Sequence, residues 1–346
     1  MKQPLQLSSL DPQRLNALLA KHRVSLADSA ALAGAVRRLS DHYLQHPEAA
    51  TPWRQDWAQI AYACYFLPLN YLRVLGVLEM AKEVGFFAGL RHYSDFGSGL
   101  GAVSLAMDAA LPGQFLSGHA IEVSSTAIAM HRQLTTPMAT PLTWSTQVPD
   151  GGFSASEQRL ASFSFSLTEL PRIPAWALQQ EALMLIEPAT NQDSRRLLTW
   201  RGELQGAGWH VWAPCTHAEA CPLLTESKRD WCHDRVQWDM PEWFQALEEN
   251  LPMRNDSLTY SYLLMRRTAP SESRAGLARL TGDLRREKGA SRQMICRGPK
   301  REFLSWQHRR GEAPQWPRGE RVILDPTIEV KSNELRPTTQ QVQSAT

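Results

Sequence analysis

The stretch Tyr93–Ala106, YSDFGSGLGAVSLA, decides how the rest of the chain is interpreted. Its first residues are aromatic and apolar, as at the end of a buried strand, and Gly97, Gly99 and Gly101 follow as a turn. Glycine tolerates positive φ and lets the backbone approach a ligand closely. The apolar residues from Ala102 onward have the spacing of a helix. A helix N-terminus beside a glycine turn is a favourable site for a nucleotide-like ligand.

The positions of two acidic residues indicate which ligand. Asp95 precedes the glycines in the pattern D-x-G-x-G-x-G, and Glu122 follows the next expected strand. Two carboxylates argue against a pyrophosphate, because they would repel its negative charge. The turn resembles the first motif of S-adenosylmethionine-dependent methyltransferases, where a second acidic residue binds the ribose hydroxyls. The resemblance implies a cofactor site at Asp95, Gly97, Ser98, Gly99, Gly101 and Glu122. The alternative is an ordinary strand–turn–helix corner without a ligand.

The flanking sequence divides into four regions. Residues 1–90 have helical periodicity, and 91–214 alternate strands with helices, which predicts an α/β core with a doubly wound, mostly parallel sheet of the methyltransferase type. Residues 215–324 form a basic, β-rich extension that contains four of the five cysteines. Residues 325–346 are polar and lack apolar periodicity, so we expect them to be disordered.

The acceptor side of the expected cofactor site lacks a defining motif. The fourth expected strand, 161–167, is followed by Glu169, which could act as a general base or only cap the strand. The polar-Pro-Pro-aromatic motif of amino-directed methyltransferases is absent between Leu167 and Pro171, and no cysteine there could serve as a nucleophile. The sequence therefore indicates cofactor binding and leaves Glu169 as the single catalytic candidate.

Other residues are placed near this site by their position in the chain. Ligands in such sheets bind beyond the carboxyl ends of the strands, and Ser166 lies at that end of the fourth expected strand. The apolar helix before the glycine turn carries Tyr62, Tyr65 and Asn70. These three side chains either line the cofactor pocket or belong to the core between two regions.

Four of the five cysteines lie beyond the last expected core strand: Cys215, Cys221, Cys232 and Cys296. Five, ten and sixty-three residues separate successive members. Zinc fingers and ribbons commonly use pairs separated by about two to four residues, and none occurs here. Wide, irregular spacing suits an iron–sulfur cluster, whose irons accept ligands from separate loops. The neighbouring His217 and His233 leave zinc as an alternative, and a metal-free segment is another.

Composition and charge limit the classes of function. The chain has 346 residues, 43% of them hydrophobic, and a formal net charge of +2. Between Arg254 and Arg321, however, sixteen Lys and Arg face seven Asp and Glu, which indicates either contact with a phosphate backbone or a solvated surface. The sequence shows no signal peptide and no membrane span, so we expect a cytoplasmic protein with free thiols or metal ligands.

Several motifs in combination resemble one family, the methyltransferase-like proteins associated with the mitochondrial small ribosomal subunit, which have bacterial relatives. The motifs are YACYFLPLNYLRV (62–74), DFGSGLG (95–101), SLTELP (166–171), APCTHAEACPL (213–223), DWCH (230–233), SLTYSYLLMRR (257–267) and LRREKGASRQMICR (284–297). The resemblance extends from about Trp53 to Arg310, and the cysteine-containing motifs are its most specific part.

This resemblance implies a role in assembly of the small ribosomal subunit, with binding to ribosomal RNA near the decoding region. It implies S-adenosylmethionine as cofactor and a 4Fe-4S cluster on Cys215, Cys221, Cys232 and Cys296. The basic extension would then contact RNA phosphates. Trp231, Trp238 and Trp306 either stack on bases or belong to the core. We expect no membrane or DNA partner. Two alternatives stay open: an active ribosomal RNA methyltransferase, and an RNA-binding scaffold without a cofactor.

Overall fold

The computed structural model describes residues 3–7, 10–46, 49–149, 153, 156–271 and 275–345. In these residues the α-helices are α1 (Pro12–Leu19), α2 (Ser29–Gln45), α3 (Asp56–Ala61), α4 (Leu67–Glu83), α5 (Ala102–Ala110), α6 (Ser125–Thr135), α7 (Asn191–Gly206), α8 (Pro222–Thr225) and α9 (Glu242–Glu249). The first-sheet strands are β1 (His92–Phe96), β2 (Ser117–Ile121), β3 (Leu142–Ser145), β4 (Ser156–Ser164), β5 (Gln180–Glu187), β6 (His210–Ala213), β7 (Asp234–Gln237) and β8 (Ser257–Arg266). The second-sheet strands are β9 (Leu277–Leu280), β10 (Arg285–Glu287), β11 (Ala290–Cys296), β12 (Glu302–Gln307), β13 (Arg321–Leu324), β14 (Glu329–Lys331), β15 (Glu334–Arg336) and β16 (Val342–Ser344).

The first sheet confirms the predicted doubly wound architecture. Its strand order is β3-β2-β1-β4-β5-β8-β6, and β7 pairs with β8. The strands from β1 to β5 are parallel, whereas β8 runs antiparallel to both β5 and β6. The chain order reverses on either side of β1, because β2 and β4 flank it. This switch point at the carboxyl edge of β1 is where such sheets bind ligands.

The N-terminal helices pack on one face of this sheet. Their buried leucines share a core cluster with α4, α5 and the inner face of β8. A π-helical turn at Tyr62–Phe66 joins α3 to α4, so the helical run continues through Pro68. The sequence predicts no membrane span, whereas the run Asp56–Glu83 is long and apolar enough to cross a membrane; 67% of its most apolar window is buried inside the protein. Its apolar surface is thus largely used in packing. A second cluster, with α7, covers the opposite face of the sheet.

The fourth strand ends earlier than the sequence indicates. Residues 161–167 were expected to form it, and β4 ends at Ser164. Phe165 has a φ of 58°, in the left-handed region, which turns the backbone away from the strand direction. A short 3₁₀ turn at Leu167–Glu169 follows.

The C-terminal region differs from the disorder expected for 325–346. Its described residues carry β14, β15 and β16, which pair with strands of the second sheet. Leu335 and Val342 are buried in that sheet's own hydrophobic cluster. Three short strands with at most one buried residue each lack a detectable apolar period, which is why the polar composition was misleading.

Candidate functional site

The glycine turn lies at the carboxyl edge of β1. Gly97, Gly99 and Gly101 have φ values of 67°, 51° and 87°, which side chains with a Cβ rarely adopt. A Cβ at Gly97 would lie 2.5 Å from the Cβ of Ser166, and a Cβ at Gly101 would overlap the ring of His131. The glycines are therefore required by backbone conformation and close packing, whether or not a ligand binds.

The two predicted carboxylates occupy different positions around the turn. Asp95 is buried within β1, and its Oδ1 accepts a hydrogen bond of 2.6 Å from Ser162 Oγ. Burial raises the pKa of Asp95 to about 7, the Ser162 hydrogen bond acts against this, and the charge of Glu122 adds to it. Glu122 Oε2 accepts a 3.0 Å hydrogen bond from the Gly99 N–H, and Oε1 accepts one of 3.0 Å from Ser124 N–H. Glu122 therefore holds the turn and the start of α6 together.

A cavity of about 1300 Å³ opens beside the turn. The predicted site residues that line it are Tyr62, Asn70, Gly97, Gly99, Glu122, Ser166 and Glu169. Three other predicted residues are not among the lining residues: Asp95 and Ser98 are buried below the surface, and Gly101 packs against α6. Tyr65 is also absent from the lining, because its ring stacks on Phe244 in the core. The sequence thus predicted one wall of the cavity and the layer beneath it.

The cavity lining also contains residues that the sequence did not single out: Trp53, Arg73 and Phe165. Trp53 packs against the Tyr62 ring with centroids 4.7 Å apart. Arg73 donates from Nε to the Thr259 carbonyl at 3.2 Å and from Nη1 to Asn70 Oδ1 at 2.9 Å, and its guanidinium lies 5.6 Å from the Phe165 ring centre. The i, i+3 spacing of Asn70 and Arg73 on α4 was a usable signal for Arg73. Nothing local in the sequence marks Phe165.

Glu169, the catalytic candidate, lies on the cavity wall in the 3₁₀ turn after β4. Burial raises its pKa, and the Glu122 charge adds to the effect. The structure brings Glu169 into the same cavity as the cofactor candidates, and its catalytic role stays a prediction.

The four cysteines are brought together from separate elements. We use "cysteine loop" for residues 215–233, which carry Cys215, Cys221 and Cys232, whereas Cys296 ends β11. Thr216 Oγ1 donates to the Cys296 carbonyl at 3.0 Å, which ties the loop to the second sheet. Burial raises the pKa of Cys296 well above its usual value, and the thiols of the other three are close enough to raise it further. Within the described residues, no group of three or more His, Cys, Asp or Glu side chains has the arrangement of a metal-ion site.

Two buried arginines surround these thiols. Arg279 Nη1 donates to Cys232 Sγ at 3.1 Å, and its Nη2 forms a buried ion pair with Asp234. Arg201 Nη2 donates to the carbonyls of His217 and Glu219, at 2.8 and 3.0 Å. Both guanidinium groups therefore hold the cysteine loop in place, and they add positive charge beside the cysteine thiols.

The basic extension is less uniformly available than its composition suggests. Arg285, Arg286 and Lys288 are exposed on the β10–β11 hairpin. Other arginines are engaged in ion pairs, as in the bonds of Arg297 Nε to Glu302 at 2.8 Å and of Arg301 Nε to Asp230 at 2.7 Å. Two of the three tryptophans considered for stacking, Trp238 and Trp306, are core residues, and Trp231 is partly exposed.

Comparison with known proteins identifies a family. The family model described as mitochondrial small ribosomal subunit Rsm22 matches residues 56–302. Among curated proteins, none matches the chain. Similar solved structures include the 16S rRNA methylase ArmA (9% identity, 67% of this chain, 97% of that chain, TM-score 0.36). A second is an S-adenosylmethionine-dependent O-methyltransferase from Thermotoga maritima (14% identity, 57% of this chain, 67% of that chain, TM-score 0.32). A third is the N-terminal domain of human METTL16 with S-adenosylhomocysteine (12% identity, 58% of this chain, 71% of that chain, TM-score 0.30). Similarities this weak carry no argument about ligand or substrate.

Proposed function

Because the chain belongs to the Rsm22 family of the mitochondrial small ribosomal subunit, we propose that it is a methyltransferase-like protein of the small ribosomal subunit that binds S-adenosylmethionine, ribosomal RNA and an iron–sulfur cluster. A cytoplasmic location remains part of this proposal. Three parts of the molecule are involved: the cavity at β1, the cysteine loop with Cys296, and the exposed hairpin of the second sheet.

The observation that carries the cofactor proposal is the placement of Glu122 beside the glycine turn. Its carboxylate lies on the wall of the 1300 Å³ cavity, at the switch point of the sheet, one strand along from the turn. Two of its oxygen lone pairs are used by backbone N–H groups, and a carboxylate has further acceptor capacity for ribose hydroxyls. When bound, the cofactor would supply an electrophilic methyl group. This chain's own contribution is a carboxylate that binds and orients the ribose.

The test is isothermal titration with S-adenosylmethionine and S-adenosylhomocysteine on the wild type, on Glu122→Gln and on Glu169→Gln as the matched control from the same cavity. We expect Glu122→Gln to weaken binding about tenfold or more, because hydrogen bonds to a charged acceptor contribute about 1.5–3 kcal/mol. Glu169→Gln should change it less than about threefold. Equal losses in both variants would indicate general cavity electrostatics. No binding by the wild type would favour the scaffold without a cofactor.

The cluster proposal rests on four thiols that are close enough to raise the pKa of Cys296 together, and on two buried cations beside them. In a cubane cluster each thiolate binds a different iron, so the ligands lie farther apart than around a single ion. A wide thiol set is therefore compatible with the lack of a single-ion site among the described residues. Arg201 and Arg279 would offset the negative charge that four thiolates bring into a partly buried site.

The cluster is tested by iron and acid-labile sulfide content after anaerobic purification. We expect about four irons per chain, lost in Cys221→Ser. Cys64→Ser is the matched control, since Cys64 is buried in the helical core away from the cysteine loop, and it should keep the iron. Zinc in place of iron, or iron that persists in Cys221→Ser, would contradict the four-cysteine cluster.

A further inference from the structure

A second cavity, of about 460 Å³, lies between the cysteine loop and the second sheet. It is separate from the cavity at β1 and shares no lining residue with it. We call it the second-sheet pocket; the residues used below are Trp231, His233, Arg285, Arg292, Arg301 and Phe303. Its volume lies within the range of about 300–1,000 Å³ that is common for pockets that bind one small ligand.

Strand alternation selects which side chains face this pocket. On β10, Arg285 and Glu287 line it, and the intervening Arg286 does not. Arg285 pairs with Arg292 in the register of β10 with β11, so both project to the same face. Phe303 on β12 extends that face, where it is paired with Met294. The second sheet therefore presents arginines and an aromatic ring side by side.

The ring of Phe303 is in contact with two of the guanidinium groups. The guanidinium carbons of Arg292 and Arg301 lie 4.5 and 4.8 Å from the centre of the Phe303 ring. Across the pocket, Trp231 and His233 form a stacked pair with centroids 5.6 Å apart and planes inclined by 29°. Proteins that bind single-stranded nucleic acid stack its bases on aromatic rings and guanidinium groups of this kind.

Carboxylates fix most of these arginines in place. Arg301 Nε is 2.7 Å from Asp230, and Arg292 Nε is 3.3 Å from Glu334. Arg285 differs, because its side chain is exposed and has no ion pair within the described part of the chain. The fixed arginines are thus preorganised as planar surfaces, and Arg285 at the rim remains available to an anion such as a phosphate.

We propose that the second-sheet pocket binds one nucleotide of single-stranded RNA, with the base between the Trp231–His233 pair and the surface that Phe303 forms with its two arginines, and with its phosphate at Arg285. This inference rests on the proposed function, which makes RNA the partner, and it names where and how one nucleotide is recognised. An acidic protein segment would use the arginines but would leave the aromatic surfaces without a role, so RNA accounts for more of the pocket. Sequence-independent stacking predicts tolerance of any base.

The test measures fluorescence anisotropy with a labelled, unstructured ten-nucleotide RNA and with an abasic chain of the same length and charge. Arg285→Ala and Arg286→Ala form a matched pair, since both residues are exposed on one strand and only Arg285 lines the pocket. We expect Phe303→Leu to weaken RNA binding about tenfold, in line with the contribution of one stacked base. Arg285→Ala should also weaken it about tenfold, because it removes a charge-assisted hydrogen bond to the phosphate. Arg286→Ala should weaken it less than threefold, and the abasic chain should bind about tenfold less tightly than RNA.

Each other outcome overturns a distinct claim. Suppose that Arg285→Ala and Arg286→Ala lose equal affinity and that the abasic chain binds as tightly as RNA. The pocket would then not recognise a base, and the protein would bind RNA only through electrostatic contacts with its phosphates. Equal competition by polyglutamate of matched length would assign the pocket to an acidic segment. Absence of RNA binding by the wild type would overturn the proposed function as well as this proposal. If a free mononucleotide nevertheless binds saturably, the pocket would be a site for a small nucleotide and not for RNA. If Phe303→Leu does not fold, the arginine pair and the abasic chain decide the question.

Discussion

The cavity at β1 and the second-sheet pocket are built by different means. At the cavity, the contact between Gly99 N–H and Glu122 joins residues 23 positions apart, which follow the adjacent parallel strands β1 and β2 of one sheet. At the pocket, the bond of Arg301 to Asp230 spans 71 positions, and between the cysteine loop and β11 the bond of Thr216 to Cys296 spans 80. The first region is held by backbone geometry of a packed core, and the second by side chains that connect distant loops. Loss of one of the side-chain bonds that join these distant segments should therefore damage the second region and leave the glycine turn intact.

The sharpest way to separate the two regions is to break the buried ion pair of Arg279 with Asp234. Arg279 is 1% exposed, and Arg279→Met would leave the Asp234 charge buried without its partner. We expect a loss of about 3–5 kcal/mol in the free energy of unfolding. Urea denaturation measures this loss. Hydrogen exchange should rise across the cysteine loop, 215–233, and stay unchanged at the glycine turn.

The control is Arg235→Met, which removes an arginine from the neighbouring β7. Its ion pair with Asp283 is far more exposed, with side chains 37% and 48% accessible. Exposed pairs contribute at most about 1 kcal/mol, so the two variants should differ by several kcal/mol. Similar losses, or increased exchange at the glycine turn in Arg279→Met, would contradict the division of the molecule into two independently held regions.

The converse change is Gly101→Ala, which strains the first region. Gly101 has a φ of 87°, and its added Cβ would overlap the ring of buried His131. We expect a loss of about 3 kcal/mol, the sum of left-handed strain and overpacking. Gly113→Ala is the control, because its φ is 74° and its Cβ would meet nothing within 4 Å. That variant should lose only about 1 kcal/mol in thermal or urea denaturation.

The difference between the two glycine variants isolates packing from backbone strain, since both positions have left-handed φ. Exchange at the cysteine loop should stay at the wild-type rate in Gly101→Ala. Equal destabilisation by the two substitutions would show that His131 moves aside without cost, and that the turn is held less tightly than the contacts indicate.

The same distinction explains what the sequence could predict. The strand, turn and helix around Asp95 and Glu122 follow from local patterns, and the doubly wound sheet was confirmed. The second-sheet pocket could not be found this way, because its walls are far apart in the chain and meet only through strand pairing. The left-handed Phe165 was missed because a bulky residue rarely adopts that conformation. The short strands after residue 325 were missed because each buries too few residues to leave a pattern.

The two regions also differ in how their buried carboxylates make stability depend on pH. Asp234 is paired with Arg279, whereas Glu187 at the end of β5 is buried without an ion pair in the described part of the chain. Its Oε1 accepts a 3.0 Å hydrogen bond from Leu167 N–H, and its Oε2 has no hydrogen-bond partner among the described residues. Burial raises the pKa of Glu187 from 4.5 to about 8. The folded protein therefore keeps a proton that the unfolded chain releases above pH 4.5. Stability present below pH 4.5 is lost as the pH rises to about 8.

Glu187→Gln removes this titration and should flatten the dependence of stability on pH. One proton contributes at most about 1.4 kcal/mol per pH unit, and we expect roughly 3 kcal/mol of the loss between pH 5 and pH 8 to disappear. Asp95, whose pKa is raised to about 7, still titrates in the variant, so a shallower slope should remain. Urea midpoints at pH 5, 6.5 and 8 measure this, with Glu203→Gln on the exposed side of α7 as the control. If stability depends on pH in the same way in Glu187→Gln and in the wild type, Glu187 is ionised throughout this pH range. The first region would then tolerate a buried carboxylate without an ion pair, whereas in the second region Arg279 neutralises the buried Asp234.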